Sequence, residues 1–333
     1  MKQVKKINSL IFAFFTIIFF VSCRKDQSTI TYGHETEFKQ KMRDFVIGIS
    51  KYSKAINPKF NIIPQNGIEL VSSNGKNPVQ PNSDYLKAID AIGQEDLFYG
   101  YDNDDQSTST STTSYLIDFL NISKNANKKI LVTDYCSTSS KVDNSFFQNN
   151  TSGYVSFAAS KRELTNIPTY PSTIYQQNNA VVISLDQVKN FLYLINLTNY
   201  PTKRSFINAV TATNYDLIIM DLFFKDGSAF SASEINELKS KANGGKRLVI
   251  SYMSIGEAEN YRYYWQTSWQ TNKPNWLDSE NPKWAGNFEV KYWNPEWQSI
   301  IYGNENSYLK KILNAGFDGA YLDIIDAFEY YEK

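Results

Sequence analysis

Eight short apolar segments, rich in β-branched and aromatic residues, recur along this 333-residue chain. Segments with helical periodicity lie between them. Because consecutive parallel strands need a crossover, usually a helix, this alternation predicts a parallel (β/α)8 TIM barrel of the α/β class. The predicted strands are 61–64, 88–92 with 97–99 beyond it, 129–133, 154–158, 191–195, 217–223, 247–253 and 319–325. The clearest predicted helices are 37–56, 113–123, 205–211, 231–242 and 307–315.

The order of these elements is unusual for a barrel. An amphipathic helix at 37–56 comes first, and the strand at 319–325 comes last. If the barrel closes, that strand and that helix are neighbours in space. The order therefore predicts a single-domain barrel at 37–333 that is circularly permuted, with the helix first and the strand last.

The composition restricts which catalytic groups and binding partners are expected. Lysine and arginine together number 34, as do aspartate and glutamate, and the only histidine is His34. Zero net charge disfavours nucleic acid as a partner. A single histidine disfavours a Ser/His/Asp triad and histidine-built metal sites, so we expect no metal and no cofactor. Any catalysis would therefore rely on carboxylates.

Residues 1–22 are typical of an export signal, here of the lipoprotein type. Three lysines precede an apolar stretch at 10–21 that is short for a membrane span. Small residues just before Cys23 resemble a bacterial lipobox, which predicts lipidation of Cys23. Residues 23–36 are polar and predict a lipid-anchored tether. We therefore expect an exported protein attached to the membrane of the bacterial cell envelope through Cys23, in a leaflet left open.

Three long motifs carry a family resemblance: RLVISYMSIGEAENYRYYW at 247–265, WAGNFEVKYWNPEWQSII at 284–301 and GFDGAYLDIIDAFEYYE at 316–332. They resemble the endo-α-1,4-polygalactosaminidase family, glycoside hydrolase family 114, and its uncharacterised TIM-barrel relatives. The segments FNIIPQNGIEL at 60–70 and AIDAIGQEDLFYGY at 88–101 match as well, but the family has them after the LDIID-like strand. The resemblance thus also implies that the two halves of the family's sequence occur in the opposite order in this chain, which agrees with the permuted element order.

The carboxyl ends of barrel strands are where an active site is expected. The acids predicted to lie there are Asp221, Glu257, Asp323, Asp326, Glu95 and Asp134. Glycoside hydrolysis needs two facing carboxyl groups. The resemblance implies Asp323 as nucleophile or charge stabiliser and Glu95 as acid/base. Two alternatives stay open: a one-residue register change would present Asp96 instead of Glu95, and Asp323 and Asp326 could merely cap the barrel mouth.

Further residues are expected to surround the sugar. The predicted substrate-binding residues are Asp221, Tyr252, Glu257, Glu259, Arg262, Asp326 and Asp134. An acid-rich wall suits an amino sugar that carries an ammonium group. Alternatively, Glu257 and Glu259 pair with Arg262 and only order a loop.

An insertion at 261–297 is dense in tyrosine and tryptophan. We expect most of these rings to form a small core for the long loop, with one or two at the rim stacking on sugar.

The sequence thus predicts a glycoside hydrolase that acts on an α-linked amino-sugar polymer or related glycan by a two-carboxylate mechanism. One alternative is a non-catalytic glycan-binding lipoprotein of the cell envelope. Another is an assembly lipoprotein, which would expose a large apolar patch outside the barrel mouth.

Overall fold

The computed structural model describes residues 34–332. The predicted signal peptide, Cys23 and most of the predicted tether lie outside this part of the chain. Within it, no helix combines the length and the apolar character that crossing a bilayer requires.

Helices and strands alternate through most of the described chain. The helices are α1 (His34–Ile56), α2 (Ser83–Ala88), α3 (Thr110–Asn125), α4 (Ser139–Thr151), α5 (Lys203–Thr211), α6 (Ala232–Leu238), α7 (Pro295–Ile301), α8 (Tyr308–Asn314) and α9 (Phe328–Tyr331). The strands are β1 (Asn61–Pro64), β2 (Ala91–Glu95), β3 (Lys129–Tyr135), β4 (Val155–Ala159), β5 (Phe191–Tyr193), β6 (Leu217–Asp221), β7 (Leu248–Ser254), β8 (Glu257–Glu259), β9 (Leu277–Glu280), β10 (Asn287–Val290) and β11 (Gly319–Asp323). Short 3-10 helices include Ile68–Val71 after β1 and Ile325–Ala327 after β11.

Eight of these strands form two parallel sheets. One has the order β1-β11-β7-β6-β5, and the other has the order β2-β3-β4. A parallel bridge between Gln65 and Gly93 joins the end of β1 to β2. Where β4 and β5 approach each other, the rings of Phe157 and Phe191 lie 5.7 Å apart. The fold is therefore α/β with parallel sheets, and it is consistent with a TIM-like domain.

The strands are short and almost entirely buried, as the apolar segments predict. Strands β4, β6 and β7 are buried at every position. Strands with both faces covered have continuous apolar sequences, and these apolar runs identified them. The helix predicted at 231–242 begins as expected, with a capping box between Ser231 and Glu234, but it ends at Leu238.

Strand β2 lies further along the chain than predicted. Residues 83–88 form α2, which Asn82 caps through the backbone N–H of Tyr85, so the apolar run begins in a helix. The run at 97–99 is a loop, because Asp134 accepts hydrogen bonds from the backbone N–H groups of Phe98 and Tyr99. This shift makes Glu95 the last residue of the strand.

The aromatic insertion contributes β9 and β10, which form an antiparallel sheet of the order β8-β10-β9 with the strand just before the insertion. Trp265, Trp269, Trp276 and Trp297 contact one another in sequence, with ring centroids 5.3, 4.9 and 5.1 Å apart. These rings form the small core of a long loop. Trp284 is half-exposed at the surface.

Helix α1 packs against the C-terminal part of the domain. The rings of Phe38 and Tyr331 are stacked with centroids 5.5 Å apart, and Lys39 forms an ion pair with Glu332. The first described helix and the last strand region are therefore neighbours. Strand β11 is the last strand, but the short helix α9 follows it.

Candidate active site

Asp323 ends β11 and lies at the carboxyl edge of the larger sheet. The Tyr252 hydroxyl, on neighbouring β7, donates to its Oδ2 at 2.8 Å. Burial, together with the negative charge of Glu95, raises the pKa of Asp323 to about 7. Asp323 is therefore a carboxyl group that readily holds a proton at neutral pH.

The chain turns sharply after Asp323. Ile324 has a φ of 58°, in the left-handed region, where a β-branched side chain is strained. The turn leads into the 3-10 helix that carries Asp326. Burial, then the charge of Asp323, raises the pKa of Asp326 to about 8. Backbone strain of this kind persists only where the surroundings enforce it.

Two glycines enforce this turn. A Cβ added at Gly256 would lie 2.1 Å from the Ile324 carbonyl oxygen, and one at Gly67 would lie 2.8 Å from an Ile325 methyl group. The turn after β11 is thus held between the loops that follow β7 and β1. This close packing fixes the positions of Asp323 and Asp326.

Glu95 is held by two side chains at the end of β2. Asn66 Oδ1 accepts the backbone N–H of Glu95 at 3.0 Å, which leaves the Asn66 amide group to donate to Oε2 at 3.0 Å. The Tyr135 hydroxyl, at the end of β3, contacts Oε1 in a very short hydrogen bond. Both carboxylate oxygens are therefore oriented by fixed partners.

The Asp96 side chain pairs with Arg162. Its two oxygens accept hydrogen bonds of 3.2 and 2.8 Å from the Arg162 guanidinium, which also pairs with Asp104 at 2.8 Å. Such a bidentate ion pair fixes both carboxylate oxygens. Of the two acids that the sequence left as alternatives, Glu95 is the one without a cationic partner among the described residues.

The charges of Asp323 and Glu95 affect the same two buried tyrosines. Burial raises the pKa of Tyr193 and of Tyr321 well above the usual value, and the charges of both acids contribute to each shift. Tyr193 donates to Gln65 at 2.8 Å, and its ring lies 5.3 Å from that of Tyr321. The structure thus brings the two predicted catalytic acids to one region, with two tyrosines beside both.

A buried ion cluster lies beside this pair. Arg262 donates to Asp221 Oδ2 at 2.6 Å and to Glu259 at 2.5 and 3.1 Å. Tyr261 also donates to Glu259 at 2.6 Å. Of the two alternatives for Glu259, the structure has the ion pair with Arg262. This cluster ties the end of β6 to the start of the insertion.

Glu257 has a different environment. Its Oε1 accepts a hydrogen bond of 2.7 Å from Asn281, whereas its buried Oε2 has no hydrogen-bond partner among the described residues. Burial raises the pKa of Glu257, and its charge contributes to the raised pKa of Asp323. Glu257 does not pair with Arg262, and it lies within electrostatic reach of both Asp323 and Glu259.

Asp134 lies away from any open surface. It is fully buried, and its Oδ2 accepts hydrogen bonds from Ser145 at 2.6 Å and Asn149 at 3.0 Å. Its Oδ1 accepts the two backbone N–H groups of the 97–99 loop. All four of these hydrogen bonds come from the protein itself, and the contact with substrate expected for Asp134 stays a prediction.

Sequence reasoning did not single out Asn66, Tyr135 or Arg162. Asn66 could have been found, because an Asn-Gly pair just after a strand indicates a left-handed turn at the carboxyl edge of the sheet. Within residues 34–332, no three potential metal-ligating side chains cluster closely enough to hold an ion.

Comparison with known proteins agrees with the sequence motifs. An uncharacterized protein of Methanocaldococcus jannaschii is 38% identical over 178 residues, which is 50% of this chain and 49% of that protein. An uncharacterized protein of Deinococcus radiodurans is 40% identical over 139 residues, 42% of each chain. One of Thermotoga maritima is 41% identical over 124 residues, 37% of this chain and 36% of that protein. The chain thus spans half or less of these relatives.

A model of glycoside-hydrolase family GH114 covers Asp323, Asp326 and the buried ion cluster, whereas Glu95 lies outside it. The match supports a glycoside hydrolase in general. The resemblance predicted from the sequence is confirmed, and residues 197–333 of this chain match glycoside-hydrolase family GH114.

Proposed function

We propose that this protein hydrolyses a glycan whose sugar units carry free amino groups, with Asp323 and Glu95 as the catalytic carboxyl pair. The observation that carries the proposal is their electrostatic coupling at the ends of two strands, each oriented by a tyrosine hydroxyl. Two carboxyl groups in one site are the usual requirement for glycoside hydrolysis.

The charge of the site supports a cationic substrate. Arg162 is engaged by Asp96 and Asp104. Arg262 is likewise engaged by acids, namely Asp221 and Glu259. None of the ion pairs found within residues 34–332 involves Glu95, Asp323, Asp326 or Glu257. An ammonium group on the sugar would satisfy these acids, and an α-1,4-linked galactosamine polymer is the substrate that the family resemblance suggests.

The proposed reaction uses one proton held by the pair. Glu95 donates it to the glycosidic oxygen as the bond to the anomeric carbon breaks. Ionised Asp323 then attacks that carbon or stabilises its positive charge. Water supplies hydroxide to the carbon and returns a proton to Glu95. Burial, then the nearby charge of Glu95, raises the pKa of Asp323 to about 7, so a substantial share of Asp323 is ionised at neutral pH, as its role in this reaction requires.

We further propose that the two parallel sheets close into one (β/α)8 barrel with a circularly permuted strand order. The 65–93 bridge and the contact between Phe157 and Phe191 support closure on both sides. A linear comparison of a permuted chain can align only one half at a time, which fits matches that cover half or less of each relative.

Attachment to the cell envelope through Cys23 is also part of the proposal, on the strength of the lipobox-like residues before it. Labelling of the full chain with a radioactive fatty acid, lost in Cys23→Ala, is the expected result. Equal labelling of both chains would contradict the anchor.

Hydrolysis itself is tested by incubating residues 37–333 with defined polymers of α-1,4-linked galactosamine, with and without N-acetylation. We expect new reducing ends from the non-acetylated polymer. A glycan-binding protein without activity would retain the polymer and release no ends, and this outcome would overturn the proposed function.

A further inference from the structure

Two exposed tyrosines lie beside the catalytic side of the sheets. Tyr115, near the start of α3, is 45% exposed, and Tyr101, in the loop after β2, is 56% exposed. Aromatic side chains of this size are usually much more buried. The Thr113 hydroxyl donates to the Leu97 carbonyl oxygen at 2.8 Å, which ties the start of α3 to the loop that carries Tyr101.

Tyr115 is fixed although it is exposed. Its hydroxyl donates to Glu69 Oε1 at 2.8 Å, and its ring packs edge-on against Phe119 with centroids 5.2 Å apart. Glu69 belongs to the short helix after β1, so this bond joins two neighbouring loops. A ring held in one orientation loses little conformational entropy when a ligand stacks on it.

The region is continuous with the catalytic acids. Gly67, two residues before Glu69, packs closely against Ile325, the residue before Asp326. In agreement with this contact, burial raises the pKa of both Tyr115 and Asp326, and the charge of Glu329 in α9 contributes to both shifts. All these residues follow β11, β1 or β2 in the chain, so they lie on the side where those strands end.

We propose that Tyr115, Tyr101, Glu69 and Glu329 form a second sugar-binding subsite, here called the tyrosine subsite. It binds an amino-sugar unit of the same polymer, a few units away from the bond that is cleaved. The apolar face of the sugar stacks on the Tyr115 ring, and its ammonium group lies near the two carboxylates. This inference rests on the proposed function.

The test compares Tyr115→Ala with wild type on a long α-1,4-galactosamine polymer and on an activated aryl galactosaminide. Only the polymer reaches the tyrosine subsite. We expect kcat/KM for the polymer to fall at least tenfold further than kcat/KM for the aryl substrate, mostly through KM. Tyr115→Phe keeps the ring but loses the bond to Glu69, and we expect a smaller fall. Phe147→Ala is the matched control, because it removes a 66% exposed ring from α4.

Equal losses on the two substrates, or no loss on either, would overturn the subsite. A second measurement separates this failure from failure of the proposed function. Binding of a non-acetylated galactosamine oligomer is measured by calorimetry in the Asp323→Asn background, with and without Tyr115→Ala. We expect at least tenfold weaker binding without Tyr115. Unchanged binding would refute the subsite, whereas intact binding with no wild-type turnover would refute only the catalytic proposal.

Discussion

The Tyr135 hydroxyl contacts Glu95 directly, and the Tyr135 ring lies beneath the Arg162 guanidinium, whose central carbon is 3.9 Å from the ring centroid. Arg162 is itself held by Asp96, the residue after Glu95. Glu95 is thus positioned by a closed ring of contacts that runs through Tyr135, Arg162 and Asp96. Tyr135 and Arg162 act through Glu95 and are positioning residues.

Tyr135→Phe removes one hydrogen bond to Glu95 while keeping the ring. A hydrogen bond to a charged group contributes about 1.5–3 kcal/mol, so we expect kcat/KM to fall roughly 10- to 150-fold. Because the loss concerns the orientation of the acid, we expect it to be much smaller on an aryl galactosaminide whose leaving group needs no proton. Arg162→Lys keeps the charge but loses the planar fork, and we expect a smaller loss with the same dependence on the leaving group. Equal losses on the polymer and on the aryl substrate in Tyr135→Phe would contradict the positioning role.

Gly256→Ala tests the turn that carries the two acids. The new Cβ would meet the Ile324 carbonyl oxygen, so the turn after β11 must move. We expect a stability loss of roughly 1–3 kcal/mol in chemical denaturation and a fall in activity of at least tenfold. Gly244→Ala is the control for backbone strain without a clash: unlike Gly256 it has a positive φ, of 85°, but nothing lies within 4 Å of the added Cβ. The account is contradicted if Gly256→Ala keeps full activity.

The raised pKa values of Asp323 and Asp326 predict how stability depends on pH. The folded protein retains these protons up to about pH 7 and 8, whereas the unfolded chain releases them near pH 4. Stability contributed by the protonated acids is therefore complete below about pH 4 and is lost as pH rises through these folded-state values. Asp326→Asn should raise the melting temperature at pH 8.5 by more than at pH 4.5. The same change at both pH values would contradict the assignment.

The proposed permuted order predicts that the chain tolerates a new cut. The stacked rings of Phe38 and Tyr331 place the two ends of the domain close together, so a short glycine-serine linker can join residue 332 to residue 37. A rearranged chain that starts at residue 185 and ends at residue 184 should unfold cooperatively, with a melting temperature within about 10 °C of the original. An insoluble or non-cooperative product would argue against a permuted barrel.

Much of the sheet could be predicted because its strands are buried on both faces. Strand β1 matches its predicted bounds at 61–64, and β3, β6 and β7 lie within two residues of theirs. Strand β2 was displaced because a capped helix and a hydrogen-bonded loop share one apolar run with it. Periodicity cannot separate such neighbours.

The candidate site was predictable only in part. Strand ends reduced the candidates to six acids, and the family resemblance implied Asp323 and Glu95 among them. The choice between Glu95 and Asp96 depends on Arg162, which lies 66 residues from Asp96 in the chain, and no local pattern indicates that contact. For the same reason the environment of Asp134 could not be predicted: its four donors come from separate segments, so its burial is a tertiary property.

The most direct test of the catalytic pair is the hydrolysis of two substrates by wild type, Asp323→Asn and Glu95→Gln. On non-acetylated α-1,4-galactosamine polymer, we expect both variants to lose at least 1,000-fold in kcat, about 4 kcal/mol, with unchanged melting curves. On an aryl galactosaminide whose leaving group needs no proton, Glu95→Gln should retain much more activity than Asp323→Asn. Full activity of Asp323→Asn on the polymer, alongside measurable wild-type hydrolysis, would contradict the proposed mechanism.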